Sequence, residues 1–268
     1  VLHPATPTPP ASDAVPYLQK LYRDDPYSYL RLADLKLQAG RKHTVLGHTV
    51  QWWQQPAAKL AMFEILDGYP EAERQRINAI LRNRLWQETD AYFECKGSGR
   101  SAEAADFEQT VTPQLLTPHL VSITVSTDYY CGGAHPDFDT AGINLDAHTG
   151  KPIALEDLLW LGKGKPLHVI SLAADPSQTP NAQDNDALSA YQEKTLAPWL
   201  VAQFNRLYPK LMQPTNSEDE CSYNDVELWQ YSNWYLTPAG IFFGPSFPRV
   251  ARACEASDDW SIVPWALV

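Results

Sequence analysis

Methionine is scarce, with two in 268 residues. No run of about 18 consecutive apolar residues occurs, so no segment reads as a membrane-spanning helix. Basic residues are also short: 21 Lys and Arg stand against 32 Asp and Glu, a formal charge of −11 with a pI near 5.0. That balance argues against a nucleic-acid partner, which needs clustered cations. Several catalytic signatures are missing too. There is no GxSxG elbow, no HExxH, no CxxC pair and no glycine-rich phosphate loop. Ser98 and Ser246 have no neighbouring base in sequence. No cofactor is implied.

What the chain does contain is aromatic surface and spaced cysteine. Nine Trp and thirteen Tyr bury large areas while keeping one polar handle each, which suits a β-rich core and a recognition surface alike. Cys95, Cys131, Cys221 and Cys254 are too widely separated for a structural zinc site and fit two disulfides in an oxidising compartment. Of the three possible connectivities, Cys95–Cys131 with Cys221–Cys254 is favoured, because each pair lies within one half of the chain. Residues 1–15, dense in Pro, Thr and Ala, read as an extended tether following a removed signal peptide or lipid-bearing residue.

A short helix is expected over residues 17–22 and two strands over 32–53, turning at 40–43 and again at Gly47. A strand follows at 58–66. Residues 69–94 form the clearest helix: Pro70, Glu71 and Glu73 suit its first turn, and Ile77, Ile80, Leu81, Leu85 and Tyr92 share one face. Residues 120–130 form the clearest strand, with Val121, Ile123 and Val125 on a core face and Ser122, Thr124 and Ser126 on a wetter one. A strand at 143–146, a turn at 148–150 and a helical segment at 155–161 come next. Polar loops are expected at 176–186 and 215–224. A helical region at 187–211 should break at Pro198. A hairpin of 228–236 with 241–247 and a last strand at 262–268 complete the chain. Helices and strands mix without βαβ alternation, which predicts an α+β fold, mainly antiparallel, with two intimately associated halves. The organisation expected is a tether (1–15), an amino-terminal extension (16–56) and halves at 57–146 and 147–268.

Residues 129–139, YYCGGAHPDFD, are the richest in chemistry. His135, Asp137 and Asp139, with His148 nearby, carry donor types that a metal would use, although the loop is equally explained by bend-forming glycines and a hydrogen-bonding His135. No metal is assigned, and no catalytic residue. His135, Asp137 and Asp139 are instead candidate binding residues, together with Trp229, Tyr231 and Trp234, whose rings could stack on sugars or anchor a protein. Trp52 and Trp53 belong to the same class. Acidic pairs at 24–25, 156–157, 218–220 and 258–259 read as solvated loops.

The run YYCGGAHP followed by INLDAHTGKPIALEDLL resembles the extracellular module shared by RsiV-type anti-sigma factors and PdaC-type peptidoglycan deacetylases, a family of largely unknown function. The matching residues are Gly132, Gly133, Ala134 and His135, then Asn144 and Asp146, then Thr149, Gly150 and Lys151, then Leu155, Asp157 and Leu158. Weaker matches are Tyr69–Pro70, Ile77–Asn78, Trp234–Tyr235, Thr237, Gly240 and Phe242–Phe243, so the likeness spans residues 57–266. It implies an α+β, envelope-exposed, non-catalytic module, with halves like those of the two family members. In the RsiV type the related region receives lysozyme, a basic protein that would suit a charge of −11. Unlike either type, these 268 residues are expected to hold no transmembrane anchor, sigma-binding segment or deacetylase domain. The expectation is therefore an exported binding module, periplasmic or outer-membrane-attached, recognising lysozyme or a peptidoglycan component. A cell-wall glycan or peptide hydrolase, using acidic residues or a metal near His135, is the alternative.

Overall fold

Two short helices, α1 (Pro16–Asp24) and α2 (Pro26–Ala33), each begin on a proline, whose fixed φ and missing N–H suit a first helical turn. The computed structural model describes residues 8–11, 15–98, 105–133, 135–167, 182–213, 221–256 and 259–268. Most of the tether, the loop positions 176–181 and 215–220, and Ala134 of the central motif lie outside those residues. Asp25 links the two helices by accepting from Ser28 N and Ser28 Oγ at 3.3 and 2.7 Å, the ordinary service of an N-cap carboxylate.

Strands β1 (Gln38–Val45), β2 (His48–Gln55) and β3 (Leu60–Ile65) form an antiparallel sheet in that order. The turn expected at 40–43 is absent. Gly40 instead marks a register shift between Ala39 and Lys42 inside β1, the bulge that an intrastrand glycine permits. The chain reverses only at Leu46 and Gly47, where φ is +48° and +84°. Helix α3 (Glu71–Ser98) follows, with the Pro70 carbonyl accepting from Arg74 N at 2.9 Å. Ile77, Leu81 and Leu85 are buried as their spacing predicts.

The second sheet is β4 (Asp106–Leu116), β5 (Leu120–Tyr130) and β6 (Asp137–Asp146). The wetter face expected of β5 is not there over its first half. Ser122 and Thr124 are 0% and 4% exposed, and the Ser122 hydroxyl accepts from Leu236 N of a later strand at 2.9 Å and donates to Asn144 Oδ1 at 2.7 Å. Helix α4 (Leu155–Leu158) is followed by α5 (Ala182–Tyr191), a five-residue wide turn (Gln192–Leu196) and α6 (Ala197–Leu207). Pro198 stands at the start of α6, as predicted, and the wide turn absorbs the hydrogen bond it cannot donate. After α7 (Pro209–Met212), residues Val226–Trp229 form a 3-10 turn rather than the first half of a strand. Strands β7 (Asn233–Thr237), β8 (Gly240–Gly244) and β9 (Ile262–Pro264) make the third antiparallel sheet, and Trp265–Leu267 turns helical instead of extending β9.

The fold is α+β. The chain divides into two compact units, one of Val1–His119, Val125–Thr140 and Ala147–Gly150, the other of Leu120–Thr124, Ala141–Asp146 and Lys151–Val268. The amino-terminal helices belong to the first unit, where Leu21, Tyr29 and Leu32 pack with Trp86 of α3. Its main core holds Val50, Phe63, Ile65, Ile77 and Leu81, while the second unit encloses Leu200, Phe204, Trp229, Ile241 and Phe243. Each unit carries one disulfide, Cys95–Cys131 in the first and Cys221–Cys254 in the second. Closing loops of 36 and 33 residues, each bridge stabilises by about 3–4 kcal/mol on the chain-entropy account.

Candidate binding cleft

Helical spacing sets one wall of a cleft in the first unit. Arg84, Glu88, Ala91, Cys95 and Ser98 fall three or four residues apart along α3 and so share one face. The strand period sets the opposite wall: Thr127, Tyr129 and Cys131 alternate along and just beyond β5, with Phe107 of β4 and Asp139 of β6 beside them. These residues, with Glu94, line a cleft of about 490 Å³. The Cys95–Cys131 bridge ties its two walls, and Ser98 Oγ donates to the Cys95 carbonyl at 2.9 Å and to that of Cys131 at 3.3 Å.

Charge in the cleft is predominantly negative. Arg84 is its one cation among the described lining residues and pairs with Glu88 at 2.6 Å, both largely buried. Glu94 and Asp139 remain at the open side, and Asp139 is exposed. Glu94 lies 4.0 Å from Arg31, whose nearer partner is the buried Asp90 at 2.8 Å. Aromatic edges supply the rest. Phe107 meets Tyr92 edge-on at 5.7 Å and lies 6.4 Å from Tyr129. Carboxylates beside half-buried rings favour a cationic group or the polar rim and apolar face of a sugar.

The residues singled out in the sequence scatter. Asp139 lines the cleft. Asp137 is half-buried and accepts from Phe138 N at 3.0 Å, and His135 is exposed. Trp229 is no surface anchor: it is fully buried against Phe204 at 4.7 Å, with Nε1 donating to the Tyr223 carbonyl at 2.9 Å. The aromatic run 226–236 hides it because the 3-10 turn points it inward. Tyr231 is 62% exposed. Trp234 is half-buried, and its carbonyl accepts from Asn144 Nδ2 at 3.2 Å. Reasoning from sequence missed Glu88, Glu94, Phe107 and Tyr129. The signal for Glu88 was present as the helical interval that joins 84, 88, 91, 95 and 98.

His148 does not join His135. Its Nε2 lies 3.1 Å from His119 Nδ1, and its Nδ1 lies 3.0 Å from Glu73 Oε1 on the first turn of α3. Gly150 makes the approach possible: φ is +66°, and a Cβ there would sit 2.6 Å from Arg76 Cβ.

The molecule is thus a disulfide-bonded α+β domain with an acidic, aromatic cleft. Among solved structures it is similar to a DUF3298 family member from Bacteroides fragilis NCTC 9343, at 12% identity over 87% of each chain with a TM-score of 0.36. It is also similar to a DUF3298 family protein from Pseudomonas aeruginosa PAO1, at 16% identity over 87% of this chain and 86% of that one with a TM-score of 0.31. No family model and no curated protein matches the chain.

Proposed function

We propose that the protein is an exported binding module of the cell envelope, periplasmic or outer-membrane-attached, which engages a basic protein such as lysozyme, or a peptidoglycan component, without catalysing a reaction. The observation that carries this reading is the cleft in which Glu94 and Asp139 stand beside Phe107 and Tyr129. The net charge of −11 supports a cationic partner through long-range attraction. Two disulfides support an oxidising compartment. The likeness of residues 129–159 to the RsiV and PdaC module supports an envelope setting and a non-catalytic role, with His135 and Asp137 on the same loop-to-strand passage as Asp139.

The test is retention of the purified chain on immobilised lysozyme and on insoluble peptidoglycan, at low and at physiological salt. Retention on lysozyme that weakens with salt is expected, and Glu94→Gln with Asp139→Asn should weaken it about tenfold, the equivalent of roughly 1.4 kcal/mol. If wild type passes through both matrices unretained, the reading is wrong. Release of soluble fragments from peptidoglycan would replace it with the hydrolase.

A further inference from the structure

We infer that His119 and His148, backed by Glu73, form a surface site for a divalent late transition-metal ion of the Zn²⁺ or Cu²⁺ kind. The site lies in the first unit, apart from the lining of the acidic cleft, and does not depend on the proposed function.

Three short segments bring it together. The segment before β5 is held from below by Tyr69, whose hydroxyl donates to the Thr117 carbonyl at 2.9 Å. The turn after β6 is tied to that segment by Ala147 N, which donates to the His119 carbonyl at 2.9 Å. Arg76 of α3 donates to the His148 carbonyl, and Gly150 lets the turn approach the helix. The backbone of both histidines is therefore fixed before any ligand arrives, which removes much of the ordering that binding would otherwise require.

The side-chain chemistry then follows from what each atom can do. A carboxylate only accepts, so His148 Nδ1 carries its proton toward Glu73 Oε1. In neutral His148 that leaves the Nε2 lone pair facing His119 Nδ1, which lies 3.1 Å away and can donate to it. In its other neutral tautomer His119 holds its proton on Nε2, both facing nitrogens then present lone pairs, and a metal ion can sit between them in place of the hydrogen bond. Two imidazole nitrogens at about 2.0–2.1 Å from a tetrahedral ion stand roughly 3.3 Å apart, so an opening of a few tenths of an ångström converts the hydrogen bond into a pair of ligands. Glu73 supplies the outer carboxylate that fixes tautomer and ring and raises the donor strength of a ligating histidine.

The site is reachable, since the His148 side chain is 53% exposed while the Glu73 side chain is 17% exposed. Among the described residues no group of three His, Cys, Asp or Glu side chains surrounds one point. The pair therefore contributes two ligands and leaves the remaining positions to water or to a group on a bound partner. Hard ions such as Mg²⁺ and Ca²⁺, which take oxygen donors, are not served by it.

The test is calorimetric titration of the tag-free, chelator-treated chain with Zn²⁺ at pH 7.5. One equivalent should bind to wild type and raise its unfolding temperature. His119→Ala and His148→Ala should each lower affinity by at least tenfold, and Glu73→Gln by about tenfold. His43→Ala should change nothing, and circular dichroism checks that each variant is folded. Should His148→Ala fail to fold, the exposed His119 carries the test alone. The assignment is overturned if wild type binds no zinc, or if the equivalent survives in folded His119→Ala protein.

Discussion

Single polar residues hold the parts of this fold that its hydrophobic pattern leaves ambiguous. In the second unit Ser122 Oγ donates to Asn144 Oδ1 at 2.7 Å and accepts from Leu236 N at 2.9 Å, while Asn144 Nδ2 donates to the Trp234 carbonyl. Those atoms connect β5 and β6 to β7 where the backbones are close: a Cβ on Gly142 would lie 2.2 Å from the Trp234 carbonyl oxygen. Asn144→Ala strips partners from the buried Ser122 and from the Trp234 carbonyl, and unpaired buried groups cost about 1–3 kcal/mol each. We expect a loss of about 2–3 kcal/mol in urea unfolding, with Tyr231→Ala, an exposed control, within about 0.5 kcal/mol of wild type. An Asn144→Ala protein as stable as wild type would remove the network from the account of this fold. The same network explains why the alternation of β5 was misread. A serine every second residue looks like a solvent face, and nothing local reveals that a strand some 110 residues later supplies the partner.

At the scale of elements, legibility follows the range of the interaction. Helix α3, strand β5 and the break at Pro198 were readable because periodicity and a missing N–H act within a few residues. Strand β4 was not, since Pro113 interrupts it and all but Leu116 is half-buried or exposed, and α2 was too short to show a face. The cleft was half legible. The glycine bend and Asp139 stood out as a motif, but the α3 wall requires knowing which helix packs there. Strand β3 shows how an element can be completed from elsewhere. It is an edge strand, and the outward N–H and carbonyl of its buried Ile65 are both met at 2.8 Å by the Asn78 side chain of α3. A side-chain amide thus stands in for a fourth strand and protects the edge. Asn78→Ala should cost about 2 kcal/mol, measured by chemical denaturation. Asn78→Asp, which keeps the acceptor but sets a carboxylate against the Ile65 carbonyl, should cost at least as much. If Asp is tolerated and Ala is not, the amide's donor role is refuted.

For the whole molecule, tyrosine links both units to pH. Burial raises Tyr17 and Tyr69 in the first unit above the usual phenol range, and Tyr191, Tyr208 and Tyr235 in the second. Tyr69 is pushed up to about 12 by burial alone. Burial on Tyr17 is reinforced by its 2.7 Å hydrogen bond to Asp90, and on Tyr235 by Asp259. Each group is neutral in the folded protein at a pH where the unfolded chain has begun to ionise, near pH 10. Above that point the native state holds more protons than the unfolded state, so stability falls as pH rises. Below it the contribution is complete and stability is insensitive to these groups. Urea midpoints should therefore stay level from pH 8 to about pH 10 and drop beyond it. In a spectrophotometric titration, part of the tyrosinate absorbance should appear only as the far-UV dichroism is lost. Because both units contain such tyrosines, alkaline unfolding should affect the two together, with no alkali-resistant half remaining. All thirteen tyrosines ionising in one step near pH 10 with the dichroism intact would show that these phenols are solvated and that the packing described around them is wrong.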